Sequence, residues 1–141
     1  MTWTHTITVS TCVYLTAVML LHCSPSAAHP IKAPTIVNLS HKRLAHGHRI
    51  SCKVNPGGLR HETMVYWLVN GEFIEKVYQN ISVTKTERKS DDGTEFIQTK
   101  VVFRDFSQDD FNTQFTCVAL SPAGFAKENL RIRKCSRQCL T

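Results

Sequence analysis

Cysteines and sequon asparagines are the residues of this chain whose types and spacing most plainly carry chemistry. Of the six cysteines, Cys52 and Cys117 stand far apart in the middle of the chain, and Cys135 and Cys139 stand four apart near its end. In an oxidising compartment such residues pair, so a disulfide is expected inside the domain and a second bridge, local or between chains, in the tail. Asn38-Leu39-Ser40 and Asn80-Ile81-Ser82 match the acceptor pattern for N-glycosylation. His41, His46 and His48 cluster beside Lys42 and Arg43, but no acidic or thiolate ligand is spaced with them. A solvated loop, rather than a metal site, is the expectation there. The sequence carries no Ser-His-Asp signature, no phosphate-binding glycine loop and no metal-ligand motif on a regular element. Neither catalysis nor a cofactor is expected.

The ends of the chain bear on the compartment. Residues 1–28 hold no Lys, Arg, Asp or Glu, run apolar from Ile7 to Leu21, and finish on the small residues Ser26-Ala27-Ala28. This pattern predicts a signal peptide cleaved after Ala28, which takes Cys12 and Cys23 with it. The apolar run of about 15 residues is too short for a bilayer that needs roughly 20. No second run follows, so the reading is of a secreted, extracellular protein without a membrane anchor. Residues 29–134 would form one domain and 135–141 a short basic, Cys-containing tail. The formal charge of +6 favours acidic partners or sulfated glycans. Arg131, Arg133, Lys134 and Arg137 are the cationic cluster nearest the tail, and nucleic acid is not expected in this compartment.

The elements that position these residues read as short strands. Period-two or β-rich runs fall near 34–38, 48–54, 64–69, 72–77, 81–87, 94–103, 113–119 and 125–133. Turn signals separate them, among them Asn55-Pro56-Gly57-Gly58, Asn70-Gly71, Asp91-Asp92-Gly93 and Pro122-Ala123-Gly124. The spacing of Cys52, Trp67 and Cys117 fits an all-β, immunoglobulin-like sandwich of two antiparallel sheets. In that architecture a cysteine on strand B bridges the core to one on strand F, and a tryptophan on strand C packs against the bridge. Trp67 and Phe115 are then core residues. Phe115 occupies the position, two before the second cysteine, where many such domains carry a tyrosine whose hydroxyl pins the preceding corner, so that hydrogen bond is expected to be lost.

Alternation around Trp67 sends Val65 and Val69 inward and turns Met64, Tyr66 and Leu68 outward. Asn70-Gly71 signals a two-residue type I′ hairpin. Its register would pair Val69 with Glu72, Leu68 with Phe73, Trp67 with Ile74, Tyr66 with Glu75 and Met64 with Val77, and paired side chains share a face. Met64, Tyr66, Leu68, Phe73 and Val77 would therefore surround Glu75 on an outward apolar patch that Val118 of the neighbouring strand extends. Large patches of this kind mark protein contact sites.

The stretch Val65-Tyr66-Trp67-Leu68-Val69-Asn70-Gly71-Glu72-Phe73-Ile74-Glu75 resembles the corresponding segment of the interleukin-18-binding proteins. The similarity continues through Thr86-Glu87-Arg88-Lys89, Asp92-Gly93-Thr94 and Asn112-Thr113-Gln114-Phe115-Thr116-Cys117. The resemblance implies a secreted single immunoglobulin domain that sequesters interleukin-18, with Tyr66 and Phe73 as aromatic contacts and Glu75 facing a basic group. The chain departs from the family at Glu62, where a further aromatic contact would fall, and it lacks the family's additional cysteines. The same segments are similar, less closely, to the third immunoglobulin domain of the type 2 interleukin-1 receptor. That likeness keeps an interleukin-1-type cytokine open as the ligand, beside a glycan-binding or adhesive role for the basic surface.

Overall fold

A computed structural model describes residues 30–133. The expected signal peptide, Lys134, Arg137, Cys135, Cys139 and the tail 135–141 lie outside the described residues. Among the described residues there are eight strands: β1 (Thr35–Arg43), β2 (His48–Asn55), β3 (Met64–Val69), β4 (Glu72–Phe73), β5 (Ile81–Lys89), β6 (Glu95–Phe103), β7 (Gln114–Ser121) and β8 (Gly124–Arg131). They form two four-stranded sheets, in the orders β1-β2-β6-β5 and β4-β3-β7-β8, and every pairing is antiparallel. The all-β sandwich read from the sequence is the fold observed.

The core follows from strict alternation. Ile50, Cys52 and Val54 of β2 and Ile97, Thr99, Val101 and Phe103 of β6 point inward, and their neighbours in sequence do not. From the other sheet Trp67 and Val69 of β3 meet Phe115, Cys117 and Ala119 of β7. Cys52 and Cys117 are bridged across the sheets, with Cα atoms 6.4 Å apart. Trp67 is the direct cross-strand partner of Cys117, which sets the indole beside the bridge. The indole N–H donates to the Thr99 hydroxyl of the opposite sheet (3.0 Å) with both groups buried. Thr99→Val would keep the shape and orphan that N–H, at a cost of about 1–3 kcal/mol. Chemical denaturation read through Trp67 fluorescence would show it as a lower midpoint at unchanged slope.

Three local expectations are corrected. The strand expected over 72–77 stops at Phe73, and Ile74–Val77 turns instead into one helical turn, α1. The turn closes through Tyr78 N–H to the Ile74 carbonyl (2.9 Å) and drives the Ile74 side chain fully inside. The ladder between β3 and β4 therefore consists of Leu68–Phe73 and Val69–Glu72. The expected pairs Trp67–Ile74, Tyr66–Glu75 and Met64–Val77 do not form.

Second, β1 runs on to Arg43 through an irregularity between Ile36 and Asn38, instead of ending near 38. His41 is consequently a strand residue rather than part of a loop, His48 opens β2 where a strand was expected, and only the segment 44–47 turns.

Third, the corner bond thought lost with Phe115 is supplied from elsewhere. Tyr78, just past α1, donates its hydroxyl to Asp110 Oδ1 (2.5 Å) in the 3-10 turn Asp109–Asn112 before β7. Its ring lies edge-on to Phe103 and stacks over Phe115. Burial, followed by the bond to the Asp110 carboxylate, pushes the Tyr78 phenol well above its ordinary range.

Candidate functional site

The outward face of the β4-β3-β7-β8 sheet is built in rows by strand register. Met64, Leu120 and Phe125 form one row, Tyr66, Val118 and Lys127 the next, and Phe73, Leu68, Thr116 and Asn129 the third. Successive rows are about 7 Å apart along the strands and neighbouring strands about 4.8 Å apart, so the face measures roughly 14 Å by 14 Å. Phe73 is 48% exposed, Met64 59% and Phe125 64%, large values for side chains of this kind. The rings of Tyr66 and Phe73 lie 5.4 Å apart with planes tilted by 45°, inside the range in which aromatic pairs attract. Val118 is only 8% exposed and forms a floor between Tyr66 and Lys127. The Thr116 hydroxyl is satisfied by Asn129 (2.8 Å), so this corner of the face is polar but already paired.

The hairpin that presents Phe73 is fixed by backbone geometry. Asn70 and Gly71 both take positive φ (50° and 92°), as a type I′ turn requires, and Asn and Gly are the residues that tolerate it. The Asn70 N–H donates to the Gln114 carbonyl (3.2 Å), and the Gln114 N–H returns a bond to Asn70 Oδ1 (3.4 Å). The tip of the hairpin is thus tied to the start of β7.

Of the residues singled out in the sequence, Met64, Tyr66, Leu68 and Phe73 come together on this face. Glu75 follows on α1, exposed. Val77 does not join them. It lines a separate shallow cleft with Tyr78, Gln79, Asn80 and Asp105, because α1 carries the chain out of the strand direction. Sequence reasoning missed Leu120 and Phe125. The turn signal Pro122-Ala123-Gly124 held the information, since it fixes Ser121 opposite Gly124 and hence Leu120 opposite Phe125. Asn38 and Asn80 are both exposed, and the Asn80 amide donates to Asp105 Oδ2 (2.6 Å).

A second concavity, of about 570 Å³, opens at the end of the sandwich between His41, Arg43, His48, Phe106, Gln108, Phe111 and Arg133. His41 Nε2 and His48 Nδ1 share a hydrogen bond (2.8 Å), and the rings stack with centroids 5.1 Å apart. The His48 ring continues the stack onto Phe106. Among the described residues no group of three or more His, Cys, Asp and Glu is arranged to hold a metal.

Burial lowers the pKa of both histidines, helped by their mutual repulsion at His41 and by Arg43 at His48, with Asp110 acting in the opposite sense on His48. The folded domain therefore binds fewer protons here than the unfolded chain. The stabilising contribution is present above the unfolded histidine value near 6.5 and is lost as pH falls through the lower folded values. The melting temperature should be lower at pH 5 than at pH 7.5, and the difference should shrink in His41→Gln/His48→Gln. An unchanged difference would assign the acid sensitivity to other groups.

The fold and the face together define an immunoglobulin-type domain with an open aromatic sheet face. The chain belongs to the YLDV-IL18BP-like family (Yaba-Like Disease Virus IL18BP), whose family model matches residues 36–134. It is also similar to interleukin-1 receptor type 2. The rat protein (Rattus norvegicus) is 29% identical over 90 residues, which cover 62% of this chain and 22% of the receptor. The mouse protein (Mus musculus) is 32% identical over 76 residues, which cover 52% of this chain and 18% of the receptor. The chain thus spans about a fifth of the length of these relatives. Among the described residues no helix is long and apolar enough to cross a membrane.

Proposed function

We infer that this chain is a secreted decoy: it binds interleukin-18 and keeps it from its receptor. The observation that carries the reading is the apolar outward face centred on the Tyr66–Phe73 pair, in a chain of the YLDV-IL18BP-like family. Tyr66 and Phe73 act as anchors, Met64 and Leu68 widen the apolar contact, and Glu75 at its edge takes a basic group of the cytokine. Val77, which lines the separate cleft beside Tyr78, is left out of this contact. Leu120 and Phe125 extend the same surface across the sheet. The activity is binding, not catalysis, and it needs no cofactor. Residues 1–28 direct the chain out of the cell, and Cys135 and Cys139 are available for a second bridge, either local or between chains.

A second reading rests on the similarity to interleukin-1 receptor type 2, under which the ligand is an interleukin-1-type cytokine. The deciding experiment is surface plasmon resonance of the secreted protein against interleukin-18 and interleukin-1β. Tight binding to interleukin-18 alone supports the first reading, binding to interleukin-1β alone the second, and binding to neither overturns both.

Asn38 and Asn80 are proposed to carry sugar. Protein secreted from mammalian cells should lose mass in two steps as Asn38→Gln and Asn80→Gln are combined, and a mass equal to that of the bare chain would refute this.

A further inference from the structure

We propose that the outward face of the β1-β2-β6-β5 sheet is a binding site for linear sulfated polysaccharide. Alternation fixes its membership. Each inward residue Ile50, Cys52 and Val54 of β2 is flanked by an outward one, and the register carries that face across four strands. Lys42, Arg49, Lys53, Arg88 and Lys100 all fall on it.

No Asp or Glu occupies an outward position on these strands. The carboxylates nearest in sequence, Glu87 of β5 and Glu95 of β6, alternate to the other side and pair with Arg60 (3.5 and 3.2 Å). Among the described residues none of the five cations has an acidic partner within ion-pair distance.

The arrangement is two-dimensional. Lys42 lies directly across from Arg49, and Lys100, across from Ser51, is diagonal to both Arg49 and Lys53. Arg49 and Lys53 are separated along β2 by about 14 Å. Hydroxyl and amide side chains such as Ser51, Thr84 and Gln98 occupy the places between. Such a field attracts a polyanion whose charges repeat along its length, and the interleaved donors suit sulfate and sugar hydroxyl oxygens.

The same face is poorly made for other polyanions. Stacking of nucleic acid bases needs open aromatic platforms, and the ring on this face, Phe96, is half-buried with the Lys53 ammonium 3.8 Å above its centre. A membrane surface rewards inserted apolar side chains, and besides Phe96 this face offers the half-buried Val102 and, at the irregularity of β1 on its edge, the single exposed Val37. The site is distinct from the tail cluster Arg131, Arg133, Lys134 and Arg137 expected from the sequence. It lies on the opposite side of the sandwich from the aromatic face, so it does not rest on the cytokine reading. Asn38 pairs with Lys53 at the edge of the face, and a sugar there would crowd it, so the test is run in the Asn38→Gln background.

The test is binding of the full secreted chain to immobilised heparin at 0.15 M salt. Arg49→Gln/Lys53→Gln/Lys100→Gln should bind at least about tenfold more weakly. A charge-matched Lys32→Gln/Lys85→Gln/Arg104→Gln variant and the tail variant Lys134→Gln/Arg137→Gln should stay within about twofold. Lys42→Gln/Arg88→Gln, which alters only exposed side chains, should show a smaller loss at unchanged melting temperature and guards against misfolding of the triple variant. Salt of about 0.5 M should release the wild type, because exposed charge contacts are screened there. The proposal is overturned if the triple variant binds like the charge-matched control, if the tail variant accounts for the loss, or if desulfated heparin, duplex DNA or phosphatidylserine vesicles bind as tightly as heparin.

Discussion

Replacing Tyr66 and Phe73 together by alanine should abolish capture of interleukin-18 while leaving the domain folded. Both side chains stand on the outward face, where they contact each other, and truncating them opens no cavity among the buried residues of the core. Anchors at the centre of a protein interface are each worth about 2 kcal/mol or more. Loss of both should weaken binding by roughly three orders of magnitude, since about 1.4 kcal/mol corresponds to tenfold. Plasmon resonance gives the affinity and a thermal melt gives the control. Binding within about tenfold of wild type at an unchanged melting temperature would move the contact surface off this face. Heparin binding should persist in this variant, so failure of the cytokine reading and failure of the glycan proposal are separately visible.

The second large effect is expected from Cys52→Ala/Cys117→Ala. The bridge closes a loop of 65 residues and restricts the unfolded chain by about 4 kcal/mol. A domain of this size has only about 5–15 kcal/mol of stability in all. The melting temperature should fall by roughly 15–30 °C. The bridge also forms one side of the Trp67 environment, so the near-ultraviolet signal of the indole should broaden before the sheets separate. A shift of only a few degrees would mean that the packing of Phe103, Phe115 and Ile97 holds the sandwich without it.

Long-range architecture was legible in the sequence because few residues encode it strongly. Two cysteines and a tryptophan at the right spacing specify which strands face across the core, and Asn70-Gly71 specifies a hairpin and its first two pairs. Most of the aromatic face followed from those two facts. What escaped was decided by short segments or by distant contacts. Over four residues the pattern Phe73 out, Ile74 in, Glu75 out fits a strand and a helical turn equally well, and burial of Ile74 settles it in favour of the turn. Ser40-His41-Lys42 reads as loop because an edge strand exposed to water carries polar side chains, so the extension of β1 was invisible. The bond between Tyr78 and Asp110 joins residues 32 apart in the chain, and no local pattern announces it. The cationic face was hidden for a related reason: its members are dispersed over four strands and become a cluster only once the register is known.

The hydroxyl that holds the corner before β7 has, in effect, migrated from the strand itself to the exit of the β3-β4 hairpin. Tyr78 follows Phe73 by five residues, and the opposite end of the segment is held by the two bonds between Asn70 and Gln114. The proposed recognition element is therefore a clamped span rather than a free finger. Its backbone entropy is surrendered when the domain folds, not when the ligand arrives, which leaves more of the contact energy to appear as affinity. Tyr78→Phe, which releases one clamp without touching the aromatic face, should act chiefly by hastening ligand dissociation.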